Sequence, residues 1–298
     1  MQSLIITEKD FNGKESSPPL KNIKINLSDI INKGKKTLQK AGVNPAEREV
    51  IWLMEFILGK KIIDFEIQIS EKQKNEFLKL INKRVKHYPL QYLIGNIDFF
   101  DTKICVTNNV LIPRPETEEM VEKACNLLKN IPGEIICADL GTGSGCISIA
   151  IAKKIKKTKW FACDASETAL QVAKSNAERN FISDKIKFFY GNWFYAFPKN
   201  IKFDFIIANP PYVKEWEKLQ PELSYEPSNA LFSGKDGLNA YREIISNLRE
   251  KMNSGGVFLG EFGLGQSAEL IKISKKNKFD KIEIIKDLSG RERFIKIF

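Results

Sequence analysis

The run Ile135-Ile136-Cys137-Ala138-Asp139-Leu140-Gly141-Thr142-Gly143-Ser144-Gly145 lies near the middle of the 298-residue chain. Its apolar start, Ile135 to Ala138, predicts a short strand, and Ile147 to Ile155 predicts a helix after it. The three glycines on alternate positions allow a tight turn and a close approach of a ligand to the backbone. A strand, a glycine-rich turn and a helix in this order are typical of cofactor-binding α/β folds.

The glycine spacing narrows the class of ligand. It is GxGxG and not the GxGxxG that cradles a pyrophosphate, and no lysine of a phosphate-binding loop follows. Asp164 comes 19 residues after Gly145, at the end of the next predicted strand, Trp160 to Cys163. A carboxylate at that point can accept both ribose hydroxyls of an adenosine group. The alternative is a purely structural turn between strand and helix.

The alternation of strands and helices continues on the carboxyl side and predicts a doubly wound, parallel sheet with helices on both faces. Further strands are predicted at 186–190, 203–208 and 257–260, and helices at 167–180 and 238–252. Two last strands, 282–285 and 293–298, predict a hairpin that adds an antiparallel edge.

The tetrapeptide Asn209-Pro210-Pro211-Tyr212 directly follows the apolar strand Phe203 to Ala208. It therefore lies at the carboxyl end of the sheet, where folds of this class bind ligands. Two prolines stiffen the turn, so the Asn209 side-chain oxygen and the Pro210 carbonyl can accept both hydrogens of a planar NH₂ group. The Tyr212 ring can stack on that group. The alternative is a stiff turn without a function.

The first third of the chain has a different organisation. Residues 1–25 contain Ser16-Ser17-Pro18-Pro19 and predict a flexible extension. Residues 26–90 predict a small helical domain, with helix starts at Ser28, at Asn44-Pro45 and at Ser70. Residues 91–112, rich in β-branched and aromatic side chains, predict a β-hairpin linker that turns at Asp101-Thr102-Lys103. Residues 113–298 are then predicted to form the sheet domain.

Composition excludes several functional classes. The five cysteines never form CxxC, and His87 is the only histidine, so neither a zinc site nor a histidine-based catalytic triad is expected. No apolar run approaches the ~20 residues that span a bilayer, and we expect a cytoplasmic protein. The net charge of +10 suits an acidic partner or nucleic acid; lysine-rich codon usage explains it equally well. Of this charge, +6 lies within the first 90 residues.

The glycine loop together with Asn-Pro-Pro-Tyr resembles the class I S-adenosylmethionine-dependent methyltransferases that modify planar amino groups. More specifically, the chain from about Ser28 to Phe298 resembles the release-factor glutamine methyltransferase family (HemK/PrmC). The matching segments are Pro89 to Gly95, Leu111 to Glu118, Gly191 to Phe194, Glu226-Pro227 with Ala230-Leu231, Asp236 to Leu238 with Tyr241-Arg242, Glu261 with Gly263 and Gln266, and Lys286 to Leu288 with Gly290 and Arg293. Two features depart from the family pattern: the extension 1–25, and Asp101 in place of a common hairpin glycine.

The resemblance implies a Rossmann-like, mostly parallel sheet and transfer of a methyl group to the glutamine amide nitrogen in the Gly-Gly-Gln motif of peptide-chain release factors, a step in translation termination. It implies S-adenosyl-L-methionine as cofactor and S-adenosyl-L-homocysteine as product. Cofactor contacts would come from Gly141, Thr142, Gly143, Ser144, Gly145, Asp164, Trp193 and Asn209. The substrate glutamine would meet Asn209, Pro210, Pro211 and Tyr212, with Asn209, Pro210 and Tyr212 as catalytic residues. Pro113, Arg114 and Glu116 would shape the cofactor entrance.

The resemblance also implies that the helical domain grips the release factor. We expect no direct contact with nucleic acid, no membrane association, no metal and a monomeric protein. Three alternatives stay open. The substrate amide can belong to a ribosomal protein, or the NH₂ group can be N6 of adenine in a nucleic acid, because both groups are planar. The third is a binding module that keeps the cofactor fold without catalysis.

Overall fold

The computed structural model describes residues 25–298, which form two compact units. The first unit ends at Gly95 and also takes in Pro221–Tyr225; the second comprises Asn96–Gln220 and Glu226–Phe298. The predicted flexible extension, residues 1–25, lies outside the described residues except for Ile25. The predicted domain boundaries stay predictions.

The first unit consists of helices with a short two-stranded ribbon. Its elements are β1 (Ile25–Asn26), α1 (Leu27–Lys40), α2 (Ala46–Leu58), β2 (Gln68–Ile69), α3 (Glu71–Arg84) and α4 (Leu90–Ile94). The apolar faces of α1, α2 and α3 meet in one core around the fully buried Phe77. Burial of these faces is what stabilises helices of only 13 or 14 residues.

The helix starts follow the local sequence, with two corrections. In α2 the predicted cap Asn44 is wrong, because Pro45 is the cap residue and forms no side-chain capping hydrogen bond. Ser70 begins α3 with a capping box, because its hydroxyl accepts the Gln73 N–H (3.2 Å) while the Gln73 side-chain oxygen accepts the Ser70 N–H (2.9 Å). The predicted cap Ser28 of α1 is wrong. Asn26 is the cap, and its side-chain oxygen accepts the Ser28 N–H at 2.8 Å. The reason is that the strand β1 extends through Asn26, which makes it the last extended residue before the helix.

A buried ion cluster joins α2 and α3 to the segment Pro221–Tyr225 within this unit. The Arg84 guanidinium donates to both oxygens of Glu49, from Nε to Oε2 at 2.5 Å and from Nη2 to Oε1 at 3.1 Å. It also donates to Glu222 at 3.2 Å, and His87 lies 3.1 Å from the same Glu222 oxygen. The Arg84 and Glu49 side chains are only 5% and 8% exposed. Each charge is therefore tolerated because the other is present.

The second unit begins with a hairpin of β3 (Asn96–Phe99) and β4 (Thr102–Cys105). Its turn residues are Phe100 and Asp101, both with positive φ, and not the predicted Asp101-Thr102-Lys103. The strand-like pattern at Tyr92-Leu93-Ile94 is also misleading, because these residues belong to α4. Pro89 precedes that helix and the left-handed Gly95 ends it, so local turn chemistry outweighs β propensity there.

The sheet unit contains the remaining elements. They are α5 (Pro115–Leu128), β5 (Ile135–Leu140), α6 (Cys146–Lys154), β6 (Thr158–Asp164), α7 (Glu167–Arg179), β7 (Ile186–Tyr190), β8 (Phe203–Ala208), α8 (Asn239–Lys251), β9 (Met252–Glu261), α9 (Ser267–Lys276), β10 (Ile282–Lys286) and β11 (Glu292–Ile297). Helices α5 and α9 were not predicted from the sequence, although Pro115 at the first helical position and Glu116 in the first turn are helix-start signals.

Seven strands form one sheet in the order β10-β11-β9-β8-β5-β6-β7. The pairs from β9 to β7 are parallel, and β11 is antiparallel to both of its neighbours. The predicted fold class is thereby confirmed: an α/β, Rossmann-like sheet, mostly parallel with an antiparallel C-terminal edge. The chain moves outward from β5 to β7 and then returns to β8 on the other side of β5. Strands β5 and β8 thus flank the switch point where such sheets bind ligands.

The register aligns four residues along the carboxyl edge of the sheet. Leu140 of β5 pairs with Cys163 of β6 and with Ala208 of β8, and Ala208 pairs with Gly260 of β9. The next residue of each strand is therefore on a common row: Asp164, Gly141, Asn209 and Glu261.

Three further properties of residues 25–298 concern membrane-spanning helices, metal-binding groups and disulfide bonds. No helix in this range is both long and apolar enough to cross a bilayer. No group of three His, Cys, Asp or Glu side chains in the same range is arranged to hold a metal ion. All five cysteines are free thiols; four are buried and Cys105 is half-buried.

We expect removal of one partner of the buried ion pair to cost more than removal of both. Glu49→Leu leaves the Arg84 charge buried with only Glu222 and should lower the free energy of unfolding of the helical unit by ~3–5 kcal/mol. The double variant Glu49→Leu/Arg84→Met should recover most of this loss. Urea titration followed by amide hydrogen exchange of the helical unit measures both.

The matched control is Glu269→Ala, which removes an exposed pair with Lys272 on α9 and should cost less than ~1 kcal/mol. Equal losses in the single and the double variant would contradict the interpretation of the buried pair.

Candidate functional site

A cavity of about 270 Å³ opens at the carboxyl ends of β5, β6 and β8. Its wall contains most of the residues that the sequence singled out: Pro113, Arg114, Gly141, Thr142, Gly143, Ser144, Asp164, Trp193, Asn209 and Pro211. The predicted site residues Gly145, Pro210, Tyr212 and Glu116 are not part of this wall. The cavity brings together residues that lie up to 121 positions apart, from Asn109 to Ala230.

Two glycines of the loop have different structural roles, one beside the cavity and one in helix packing. Gly143 has φ +55°, and a Cβ there would meet no atom within 4 Å. Gly145 has φ +79°, and its Cβ would lie 3.0 Å from the Ile149 side chain and 3.2 Å from Ala173 Cβ. Gly143 therefore leaves the wall open, whereas Gly145 allows α6 to pack against α7.

Asp164 closes the loop from the neighbouring strand. Its Oδ2 accepts the Gly143 N–H at 2.8 Å, and its Oδ1 accepts the Ser166 N–H at 2.9 Å. Burial raises the pKa of the Asp164 carboxyl, and the N–H donors act in the opposite direction. Each carboxylate oxygen keeps a further lone pair, so Asp164 can still accept hydroxyl groups of a ligand.

Trp193 forms one side of the cavity beside the loop. A Cβ at Gly141 would lie 3.2 Å from the Trp193 ring, which is why a glycine is needed opposite it. The indole N–H donates to Glu243 at 3.1 Å, and the backbone of Trp193 has the positive φ of +44°. This fixed, half-buried ring is a surface for a flat group; its contact with adenine stays a prediction.

Two buried oxygens next to the loop have no hydrogen-bond partner among the described residues: Asp139 Oδ1 and Ser144 Oγ. The other Asp139 oxygen accepts the Thr142 hydroxyl at 2.6 Å. Burial raises the pKa of Asp139 to about 6. Buried polar atoms are normally hydrogen-bonded, and Ser144 lies on the cavity wall, so its hydroxyl oxygen is suited to a donor group of a bound ligand. Asp139 is fully buried and is not part of this wall. Asp139 was not among the predicted site residues; its signal was an acid near the end of a buried strand.

A hydrogen-bonded chain runs from Asn209 to the end of β9. Asn209 Nδ2 donates to Thr117 Oγ1 (3.1 Å), and the Thr117 hydroxyl donates to Glu261 Oε2 (2.8 Å). Tyr212 donates its hydroxyl to Glu261 Oε1 at 3.4 Å. Asn209 Oδ1 is buried and has no partner within the described chain. Asn209 therefore offers a free acceptor, while Tyr212 is bound to Glu261 outside the cavity wall.

Burial determines the pKa values of the ionisable groups in this hydrogen-bonded network. Glu261 is 1% exposed, and burial raises the pKa of its carboxyl to about 7. Burial and the nearby Glu261 charge also raise the pKa of Tyr212, so its phenol stays protonated and can donate. Thr117 and Glu261 belong to segments that match the family pattern, and neither was predicted as a site residue. A glutamate at the carboxyl end of an apolar strand was the signal that could have singled out Glu261.

A further buried carboxylate, Glu226, orders the segment that completes the wall. Glu226 accepts from Arg114 Nη2 at 2.6 Å with one oxygen and from the Ile112 N–H at 3.0 Å with the other. Pro227, Asn229 and Ala230 then reach the cavity. Arg114, predicted at the entrance, thus lies on the wall and is held by Glu226, whose role the sequence did not reveal.

Two family models and several named relatives match this chain. The family model "PrmC N-terminal domain" matches residues 29–95, and "Methyltransferase small domain" matches residues 118–234. The chain is 44% identical over 233 residues to a release factor glutamine methyltransferase of Thermodesulfovibrio yellowstonii, covering 76% of this chain and 82% of that protein.

Two further similarities are limited, one by the length of the relative that is covered and the other by low sequence identity. The chain is 34% identical over 295 residues to a bifunctional methyltransferase of Rickettsia prowazekii; the match covers 91% of this chain but spans only 57% of the length of that relative. The hMettl16 catalytic domain, solved in complex with MAT2A 3′UTR hairpin 1, superposes with a TM-score of 0.56 over 84% of this chain and 90% of that one. At 15% identity this likeness concerns the fold alone.

The two kinds of glycine constraint can be separated by mutation. Gly145→Ala should lower the free energy of unfolding by the ~1–2 kcal/mol of a left-handed alanine plus ~1–3 kcal/mol of overpacking against Ile149 and Ala173. Gly133→Ala is the matched control, since Gly133 also has a positive φ (+72°) but open space around its Cβ. Urea unfolding of the sheet unit measures both, and equal losses would show that the packing of α6 on α7 is not constrained at Gly145.

Proposed function

The chain belongs to the release factor glutamine methyltransferase family, and from this premise we propose that it methylates a peptide-chain release factor. The methyl group is transferred from S-adenosyl-L-methionine to the side-chain amide nitrogen of the glutamine in the Gly-Gly-Gln motif. The predicted family is confirmed by these relatives; the activity, substrate and cofactor of this chain are the proposal.

The single observation that supports the proposal most directly is the free acceptor at Asn209. Its Oδ1 is buried and unpartnered among the described residues, and the residue lies on the cavity wall. Such an oxygen selects a ligand group with N–H or O–H donors, because an acceptor or an apolar group would leave it unsatisfied. A primary amide supplies two N–H donors. The following Pro210 carbonyl is the second acceptor that we expect for them.

The residues of the cavity fit an adenosine-containing cofactor. Asp164 has lone pairs left for ribose hydroxyls, the open space at Gly143 admits a ligand close to the backbone, and the Trp193 ring offers a face for a flat base. The unpartnered hydroxyl oxygen of Ser144, which lies on the cavity wall, suits the ammonium group of an amino acid portion. We assign these residues to S-adenosyl-L-methionine and to its product S-adenosyl-L-homocysteine.

The chemistry balances without a further co-reactant. When bound by these residues, S-adenosyl-L-methionine would supply an electrophilic methyl group on a positively charged sulfur. The sulfur would keep the electron pair of the broken carbon–sulfur bond, giving the neutral thioether of S-adenosyl-L-homocysteine. The amide nitrogen forms the new carbon–nitrogen bond and releases one proton to solvent. The product is N5-methylglutamine.

Asn209 lowers the barrier through the acidity of the reacting N–H. An amide nitrogen is a poor nucleophile because its lone pair is conjugated with the carbonyl. As its N–H becomes more acidic along the reaction, a hydrogen bond to the Asn209 oxygen strengthens, which stabilises the transition state more than the ground state. Holding the NH₂ group in place supplies a further part of the rate enhancement. Stacking by Tyr212 stays a prediction, and its hydroxyl is already bound to Glu261.

The release factor is favoured over the other planar NH₂ groups by the relatives. Adenine N6 would satisfy the same acceptor, so Asn209 does not distinguish it from glutamine. Relatives named release factor glutamine methyltransferase are 35–44% identical to this chain over 76–90% of its length. The match of residues 29–95 to the PrmC N-terminal domain supports the helical unit as the part that binds the release factor.

We expect the purified protein to add one methyl group, on the Gly-Gly-Gln glutamine, to a release factor incubated with S-adenosyl-L-methionine. Peptide mass spectrometry locates the modification. Asn209→Ala should reduce turnover by at least ~100-fold, the effect of removing one preorganised hydrogen bond to the reacting group. Asn126→Ala, an exposed residue of α5, is the matched control. Near-normal turnover in Asn209→Ala would overturn the mechanism, and methylation of an oligonucleotide but not of release factor would overturn the substrate.

Asp164→Ala should weaken binding of S-adenosyl-L-homocysteine by ~1–3 kcal/mol, since it removes a charge-assisted hydrogen bond to the ligand and the partner of the Gly143 N–H. Isothermal calorimetry measures the affinity without any turnover. Asp184→Ala, at an exposed position before β7, is the control. An unchanged affinity in Asp164→Ala would show that this carboxylate does not hold the ribose.

A further inference from the structure

The side-chain amide of Asn209 has two orientations of nearly equal shape. Rotation by 180° about its last bond exchanges the carbonyl oxygen with the NH₂ group. Only one orientation turns the acceptor toward an incoming NH₂ group; the other presents donors to donors. The proposed function therefore requires that something in the protein selects the orientation.

The hydroxyl of Thr117 makes this selection. Its single proton is donated to Glu261 Oε2 at 2.8 Å, so only lone pairs of Oγ1 remain on the side facing Asn209. Asn209 Nδ2 donates to these lone pairs at 3.1 Å. In the rotated amide Oδ1 would take the place of Nδ2, and two acceptors would face each other. The hydroxyl thus keeps Nδ2 toward α5 and leaves Oδ1 as the unpartnered atom.

Glu261 determines the direction in which the Thr117 hydroxyl donates. Its carboxylate accepts from Thr117 and from Tyr212, and its backbone carbonyl accepts from the Tyr241 hydroxyl. An ionised carboxylate only accepts, so it forces the Thr117 proton toward itself. Several titratable or charged groups from neighbouring elements interact electrostatically with the Glu261 carboxylate. They are Glu116 of α5, Cys146 of α6, Tyr212, Tyr241 of α8 and Arg293 of β11.

We infer that Thr117 and ionised Glu261 are positioning residues that hold the Asn209 amide with its oxygen toward the NH₂ group of the substrate. The inference rests on the proposed function, because a planar NH₂ substrate is what makes the orientation matter. Neither residue needs to touch the reacting atoms, since both act through Asn209. Glu261 and Asn209 are neighbours in the row formed by the strand register, and Thr117 links them from α5.

This arrangement makes the orientation depend on pH. Burial raises the pKa of Glu261 from its ordinary value of 4.5 to about 7. Above that pH the carboxylate is ionised and accepts the Thr117 proton. Below it, the protonated carboxyl can donate to Thr117 Oγ1, which frees the Thr117 proton for the Asn209 oxygen and permits the rotated amide. Turnover should therefore fall as the pH decreases through about 7.

Thr117→Val tests the hydroxyl with little change of volume. We expect kcat for release factor methylation to fall by about 10–100-fold, as for loss of one or two hydrogen bonds at a reacting group. The KM for release factor and the calorimetric affinity for S-adenosyl-L-homocysteine should change by less than about three-fold. Thr117→Ser keeps the hydroxyl and should restore most of kcat. The matched control is Thr102→Val, which removes another buried hydroxyl, in the β3–β4 hairpin.

Glu261→Gln tests the direction of the hydrogen bond. The amide does not titrate and can donate as well as accept, so the decrease of kcat below about pH 7 should disappear, and kcat at pH 8 should be lower than that of the unchanged protein. Profiles of kcat from about pH 6 to 8.5 compare the unchanged protein, Glu261→Gln and Thr117→Ser. Thr117→Ser should keep the acid decrease.

The outcomes separate this inference from the proposed function. Suppose that the unchanged protein is active. Full kcat in Thr117→Val, or a retained decrease of kcat at acid pH in Glu261→Gln, would then overturn the positioning role and leave the proposed function intact. If the unchanged protein methylates no release factor glutamine, the proposed function fails and the inference fails with it. If Thr117→Val does not fold, as judged by thermal unfolding, the pH profile of Glu261→Gln decides.

Discussion

The register of the central parallel strands is the constraint from which the site follows. Leu140, Cys163, Ala208 and Gly260 are paired across β5, β6, β8 and β9, so the residue after each of them lies at the same edge of the sheet. A slip of one residue in any pair would turn the side chain that follows to the opposite face of the sheet. The apolar strands specify this register because they are buried on both faces.

Burial at that edge gives polar groups properties that they would lack in water. Asp139 and Glu261 are carboxyls with pKa values raised by burial, to about 6 and about 7, and each retains hydrogen bonds to neighbouring hydroxyls. A buried acceptor without a hydrogen-bond partner lowers stability, so the unpartnered oxygen of Asn209 favours a ligand that carries a hydrogen-bond donor. The site therefore combines a rigid scaffold with groups that a ligand can satisfy.

Local sequence signals predicted most elements of the sheet unit, since strand and helix periods there agree with burial. They failed where one local rule opposes another. Tyr92 to Ile94 have strand-forming side chains, yet Pro89 and Gly95 delimit a helix; Ser28 is a good cap, yet Asn26 ends the strand and caps the helix instead. Helix α5 begins at Pro115, and this helix-start signal lies inside the segment Leu111 to Glu118, which matches the family pattern.

The glycine loop, the acid at the end of the next strand and Asn-Pro-Pro-Tyr were enough to predict the wall residues Gly143, Asp164 and Asn209, because each depends on chemistry within a few positions. The alternation of strands and helices predicted the fold class, and the further matching segments along the chain predicted the family. The partners of these residues were not predictable in this way. Thr117 and Glu261 are 144 positions apart, and Glu226 meets Arg114 over 112 positions. Such contacts depend on how helices pack on the sheet and on which strands are neighbours, and no local pattern encodes that packing. The orientation of the Asn209 amide is accordingly a property of the folded chain.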